Sequence, residues 1–182
     1  NRDVKEGGYT YRKGTTYKAN RPLSAIKGVT IHNTGRIKIP NGTTMAEQYT
    51  RATYPNCNMG SVRVHYYVDE NEAWQNLDES EVGWHAADGN YGPGNSTTMD
   101  GTDAEYNRIA EDNGARLCAD ILKRHGLDET AVYQHHDWYA RKDCPVYIRP
   151  HWSAFLAAVR QYLSDNTQVP SDYDKLVAEL AD

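Results

Sequence analysis

The sequence predicts an α/β fold, a central mixed β-sheet flanked by α-helices within a single domain, on three observations. Segments around residues 29–32 and 62–68 alternate apolar and polar side chains with the period of a half-buried strand. Residues 104–124 and the stretch beginning at Trp152 carry apolar side chains at helical spacing. The 182 residues suffice for one hydrophobic core and are too few for two.

In chain order, residues 1–25 contain Gly and Tyr pairs with no helical period and are expected to form an irregular arm draped on the domain. In IKGVTIHNTG, Val29 and Ile31 alternate with Thr30 and His32, which places His32 at the end of a strand; Asn33, Thr34 and Gly35 are turn formers. TTMAEQYTRAT reads as a short helix with Thr43 or Thr44 as N-cap and Glu47 at the capping-box position. SVRVHYYVDENEAW is the clearest strand, with Val62, Val64, Tyr66 and Val68 on one face and Arg63, His65 and Tyr67 on the other. A turn at residues 69–71 leads to an antiparallel partner through Ala73 and Trp74. Residues 88–103, rich in Gly, Asn, Ser and Thr, are a long surface loop. The helix over 104–124 ends at Gly126, suited to a left-handed cap, and the last strong helix aligns Phe155, Leu156, Val159, Tyr162 and Leu163. Residues 1–165 thus make the domain, arm included. Residues 166–182 are a linker and a short amphipathic helix.

Composition narrows the function classes. A formal net charge of −5 supplies no basic field for nucleic acid or an anionic membrane. No apolar run reaches the roughly 20 residues of a membrane-spanning helix, and the first twenty residues are polar rather than signal-like. Three widely spaced cysteines, Cys57, Cys118 and Cys144, argue against a disulfide framework. The 14 Tyr and 4 Trp against one Phe hint at half-wet surfaces such as ligand grooves.

QHHDWYARKDCP places Cys144 just after a histidine pair. His32, one of His135 and His136, and Cys144 would give zinc three protein ligands and leave a fourth position for water, the arrangement of a catalytic site. Spacing alone is also met by a simpler account: His32 ends a strand, the pair is solvated, and Cys144 is a buried thiol before a proline turn.

Six motifs in order carry a resemblance: VTIHNTG (29–35), SVRVHYYVDENEAW (61–74), VGWHAADG (82–89), YGPGNS (91–96), HHDW (135–138) and KDCP (142–145). The chain resembles the zinc-dependent N-acetylmuramoyl-L-alanine amidases of phage endolysins and bacterial autolysins, which share their fold with peptidoglycan recognition proteins. The resemblance implies His32, His135 and Cys144 as zinc ligands, with His136 an alternative to His135, and Lys142 as the catalytic lysine. It places Trp84, His85 and Asn33 at the substrate groove, although Trp84 as an isolated Trp reads first as core, and His65 reads as a packed or second-surface histidine rather than a ligand. Asp137 either orients a ligand ring or is an ordinary surface carboxylate.

The implied substrate is cell-wall peptidoglycan, cut between N-acetylmuramic acid and the L-alanine of the stem peptide by a secreted or phage-released protein. The alternative is a peptidoglycan-binding module on the same fold with little catalysis. One departure makes that alternative credible, while Cys144 with His32, His135 and Lys142 favours the enzyme. Many relatives carry a strand resembling S-I-x-I-E-x-C with a catalytic glutamate, and others a tyrosine before the strand histidine. Here GPGNS runs through TTMDGTDAE into a helix, and Val64 precedes His65.

Overall fold

The computed structural model describes residues 10–17, 26–33, 44–53, 64–80, 85 and 104–165. β3 (Tyr66–Val68) and β4 (Glu72–Leu77) form the expected antiparallel hairpin, with Val68 opposite Ala73. Its turn is closed by Asp69, whose Oδ1 accepts the N–H groups of Asn71 and Glu72, both at 2.8 Å. The other oxygen of the same carboxylate accepts the Ala46 N–H at 2.8 Å, a first-turn amide of α1 (Met45–Thr53) that has no partner within the helix. One side chain therefore ties hairpin to helix. Burial and the neighbouring Glu70 push the Asp69 carboxyl up to about 6, against the pull of those three N–H groups.

Thr44 is the N-cap of α1: its Oγ1 accepts the Glu47 N–H at 3.2 Å and donates to Glu72 Oε2 at 2.7 Å. The Glu47 carboxylate meets Arg51 one turn on, at 2.6 Å.

Alternation over residues 62–68 holds only in part. Tyr66 and Val68 pack against Leu117 and Ile121 of α2 (Ala104–His125), as a shared face requires. Val64 instead joins Tyr67 and Ala46 on the α1 side. The strand begins only at Tyr66, after a bend at His65, and the bend breaks the period of two. Residues 62 and 63 lie outside the described residues.

The expected irregular arm is corrected. Thr10–Tyr17 forms β1, which runs parallel to β4 from Thr10 opposite Glu72 to Lys13 opposite Gln75. The register shifts between Lys13 and Tyr17. Lack of a helical period does not imply lack of structure: threonine and tyrosine favour strands, and the register shift blurs the alternation that would have revealed one. β4 thus has a parallel neighbour and an antiparallel one, so the sheet is mixed.

A second pairing was not anticipated. β2 (Val29–Ile31) runs parallel to β5 (Val132–Gln134), a three-residue strand too short for a periodic signature. Gly28 makes the approach possible, since a Cβ there would lie 2.5 Å from both the Ala131 carbonyl and the Tyr133 ring. α2 and α4 (Trp152–Ser164) close over this pair. Ala115, Cys118, Ala119 and Leu122 of α2 pack with Val132, Ile148, Phe155 and Val159, and Val29 touches both this core and that behind β3.

The stripe expected from Trp152 is the buried one. Gly126 adopts φ +65°; its N–H reaches the Lys123 carbonyl at 3.2 Å while Leu127 reaches Leu122 at 2.9 Å, the double closure of a left-handed C-cap. The loop over 88–103 and the segment 166–182 lie outside the described residues.

Where α2 ends, Glu79 receives Tyr66 Oη at 2.5 Å and Arg124 at 2.6 Å, with His125 Nε2 also at 2.6 Å. Burial alone would raise this carboxyl, but those partners hold it below its ordinary value. A depressed carboxylate lends stability that is present above its unfolded pKa, about 4.3, and lost as pH falls through the folded value. The parent's thermal midpoint is therefore expected to fall with acidification through that range. Glu79→Gln should start lower at neutrality and show a flatter acid limb; parallel pH profiles for the two proteins would dismiss this account.

Candidate metal centre

Parallel pairing of β2 with β5 sets Ile31 opposite Gln134, so the next residue of each strand, His32 and His135, emerges at the same end. His135 opens the one-turn helix α3 (His135–Trp138), whose entry is fixed by Asp137 Oδ2 accepting the Gln134 N–H at 2.7 Å. Asp137 therefore caps the turn bearing the histidine. The two imidazoles are buried, with ring centroids 4.6 Å apart.

Cys144 arrives on a turn pinned from both sides. Its carbonyl accepts the His136 N–H at 2.9 Å, and its sulfur accepts the Asn33 N–H at 3.4 Å and lies 3.8 Å from His32 Nδ1. One ligand atom from each of His32, His135 and Cys144 falls within 4.8 Å of the others. His136, the alternative, uses Nδ1 to donate to the Lys142 carbonyl at 2.8 Å and stands outside this cluster.

The donor set fits zinc. Burial, reinforced by the charges that His85 and His135 would carry, holds His32 well below the usual imidazole range, so its ring is neutral and has a lone pair to offer. Burial raises the Cys144 thiol, opposed by the Asn33 N–H and the Lys142 ammonium; a bound cation would favour the thiolate. Two imidazoles and a thiolate are borderline-soft donors, unlike the oxygen cages of calcium or magnesium.

His85 completes the cluster. Its Nδ1 lies 2.7 Å from His32 Nε2, and burial, His65 and His135 lower it to about 3. With His32 Nδ1, the nitrogen facing the sulfur, given to a metal, His32 Nε2 would carry the hydrogen and donate to His85 Nδ1. That leaves the proton of neutral His85 on Nε2. His65, expected to be a packed or second-surface histidine rather than a ligand, stands edge-on to His85 with centroids 6.4 Å apart; the sequence carried no signal linking the two.

Asn33 is 8% exposed, and its Oδ1 accepts the Tyr147 N–H at 2.9 Å. Lys142 is half-buried on the Cys144 turn, its N–H on the Tyr139 carbonyl at 2.9 Å. Trp84, and residues 97–103 where a glutamate-bearing strand was sought, lie outside the described residues.

Comparison with known proteins bears on the fold and the family. N-acetylmuramoyl-L-alanine amidase CwlH of Bacillus subtilis (strain 168) is 29% identical over 147 residues, covering 77% of this chain and 56% of that protein. The solved catalytic domain of XlyA, 26% identical with a TM-score of 0.64, covers 82% of this chain and 99% of that structure. A mutant endolysin from Bacillus subtilis superposes with a TM-score of 0.66 at 25% identity, covering 83% and 99%. The chain spans about half the length of the curated relatives it matches. No described helix is long and apolar enough to cross a membrane. A protein-family model described as N-acetylmuramoyl-L-alanine amidase matches residues 22–147, more than half of the sequence, and the chain belongs to that family.

Proposed function

We propose that the chain hydrolyses the amide between N-acetylmuramic acid and the L-alanine of the peptidoglycan stem peptide, with zinc held by His32, His135 and Cys144. The observation that carries this reading is the convergence of these three ligand atoms within 4.8 Å. Zinc at such a site supplies a Lewis acid for the carbonyl and lowers the pKa of water from about 15.7 to about 7.

The chain's own residues supply the rest. The Lys142 ammonium, on the same turn as Cys144, balances negative charge growing on the carbonyl oxygen as it becomes tetrahedral. His85 offers a neutral Nε2–H to the same oxygen or to the substrate, its tautomer set by the bond to His32. Asn33 fixes the sulfur through its N–H. The protein would act at the cell wall, as a secreted autolysin or a phage-released endolysin.

Mass spectrometry of digested wall is the test. Zinc-loaded protein is expected to release stem peptides with a free L-alanine amino terminus, to stop when a chelator is added and to resume with zinc. New reducing sugar ends would point to a glycosidase. Retention on wall without any release would favour the binding module that the missing S-I-x-I-E-x-C segment suggests.

A further inference from the structure

Among the described residues, the exposed large hydrophobic side chains are Trp138, Val146 and Tyr147. Trp138 holds the fold together locally, since its indole N–H donates to Thr30 Oγ1 at 3.1 Å and its ring lies 4.9 Å from Tyr133, which fastens α3 to β2. Val146 and Tyr147 have no such role. They follow the sulfur of the metal cluster by two and three residues and are 37% and 46% exposed, and the Tyr147 ring makes no ring contact or side-chain hydrogen bond with any described residue.

Their backbone, by contrast, is held firmly. Pro145 and Ile148 on either side are buried, the Pro145 carbonyl accepts the N–H of Ile148 at 3.2 Å and of Arg149 at 2.9 Å, and the Tyr147 N–H is held by Asn33 Oδ1. Asn33 is also the residue whose own N–H reaches Cys144 Sγ. A turn held by these backbone bonds thus presents an aromatic side chain to solvent three residues after the sulfur.

From this juxtaposition we infer that Tyr147 is the platform on which the muramoyl sugar ring of the substrate stacks, with Val146 extending the apolar ledge. The inference rests on the amidase reading and names the subsite that positions the sugar side of the scissile bond. A pyranose offers a face of C–H groups to an aromatic ring and hydroxyls at its rim to a phenol, and tyrosine supplies both partners with few rotatable bonds to freeze. The small, polar stem peptide has no comparable flat apolar face. Tyr147 is accordingly a positioning residue, expected to govern KM for glycan-bearing substrate and not the chemical step.

The test uses zinc-loaded protein and three ligands: the N-acetylglucosaminyl-N-acetylmuramic acid disaccharide, the same disaccharide bearing a stem tripeptide, and a lactoyl-tripeptide with the amide but no sugar ring. Tyr147→Ala is expected to weaken disaccharide binding about five- to tenfold and to raise KM for the disaccharide-tripeptide by the same factor. It should leave kcat, and KM for the lactoyl-tripeptide, within about twofold. Tyr147→Phe should retain most of the affinity, whereas Tyr147→Leu, apolar but without a ring face, should behave like the alanine variant.

Unchanged disaccharide binding in Tyr147→Ala overturns the inference, as does full retention by Tyr147→Leu. Equal losses on sugar-bearing and sugar-free substrates do so too, because a general disturbance of the Cys144 turn would produce them. A parent that binds the disaccharide through Tyr147 yet splits neither substrate would leave the platform standing and bring down the amidase reading.

Discussion

Cys144→Ser is expected to leave the protein folded, empty of zinc and inactive on cell wall. A serine hydroxyl keeps a proton that a thiol surrenders to zinc, so one of the three protein donors disappears while the shape of the side chain is nearly preserved. The contacts that place the turn do not depend on sulfur chemistry: the Cys144 carbonyl still accepts from His136, Asn33 Oδ1 still receives the Tyr147 N–H, and a hydroxyl can still take the Asn33 N–H. Loss of several kcal/mol of carbonyl polarisation and water activation corresponds to a fall in turnover of about a thousandfold or more. Metal analysis should find the variant essentially without zinc. Melting should be compared after chelation, because bound metal stabilises the parent by mass action. A serine variant that holds one zinc per chain and digests wall like its parent would end the assignment.

Lys142→Ala should separate metal binding from catalysis. The three donor atoms come from His32, His135 and Cys144, and a lysine ammonium has no lone pair to add to them, so zinc should stay. Loss of a cation poised for a developing oxyanion typically costs about a hundred- to a thousandfold in kcat. A secondary effect has a definite sign. Lys142 helps hold down a thiol that burial raises, so its removal should push that thiol higher and shift the onset of zinc binding to higher pH. Unchanged kcat with unchanged zinc would remove Lys142 from the mechanism.

Much of this site was legible in the sequence because its parts lie at ends of elements with clear periods. Val29 and Ile31 mark a strand, so His32 falls at its end; the stripe from Phe155 to Leu163 marks the helix behind the core. Six motifs in order then supplied the ligand set that spacing left open. What was not legible came from pairing. β5 has three residues, too few for alternation to register, yet its alignment with β2 brings the His135 ring beside that of His32. β1 was hidden by its register shift, and Val64 changed sides because a bend at His65 reset the period. Asn33, named for the groove, also splints the sulfur turn through contacts over a hundred positions away, which no local pattern encodes.

The two-strand pairing has one more consequence. His32 and Cys144 stand 112 positions apart, so an ion gripped by both clasps an early stretch of the polypeptide to a late one. Without it, the three-residue strand pairing, the Asn33 bonds to Cys144 and Tyr147, the Trp138–Thr30 bond and the packing behind them keep that circuit shut. Closing so long a circuit has an entropic cost that grows only logarithmically with its length. The cation would then act as a removable rivet for the whole tertiary loop as well as a reagent, and starving the protein of metal should loosen the seam between its two halves together with its chemistry.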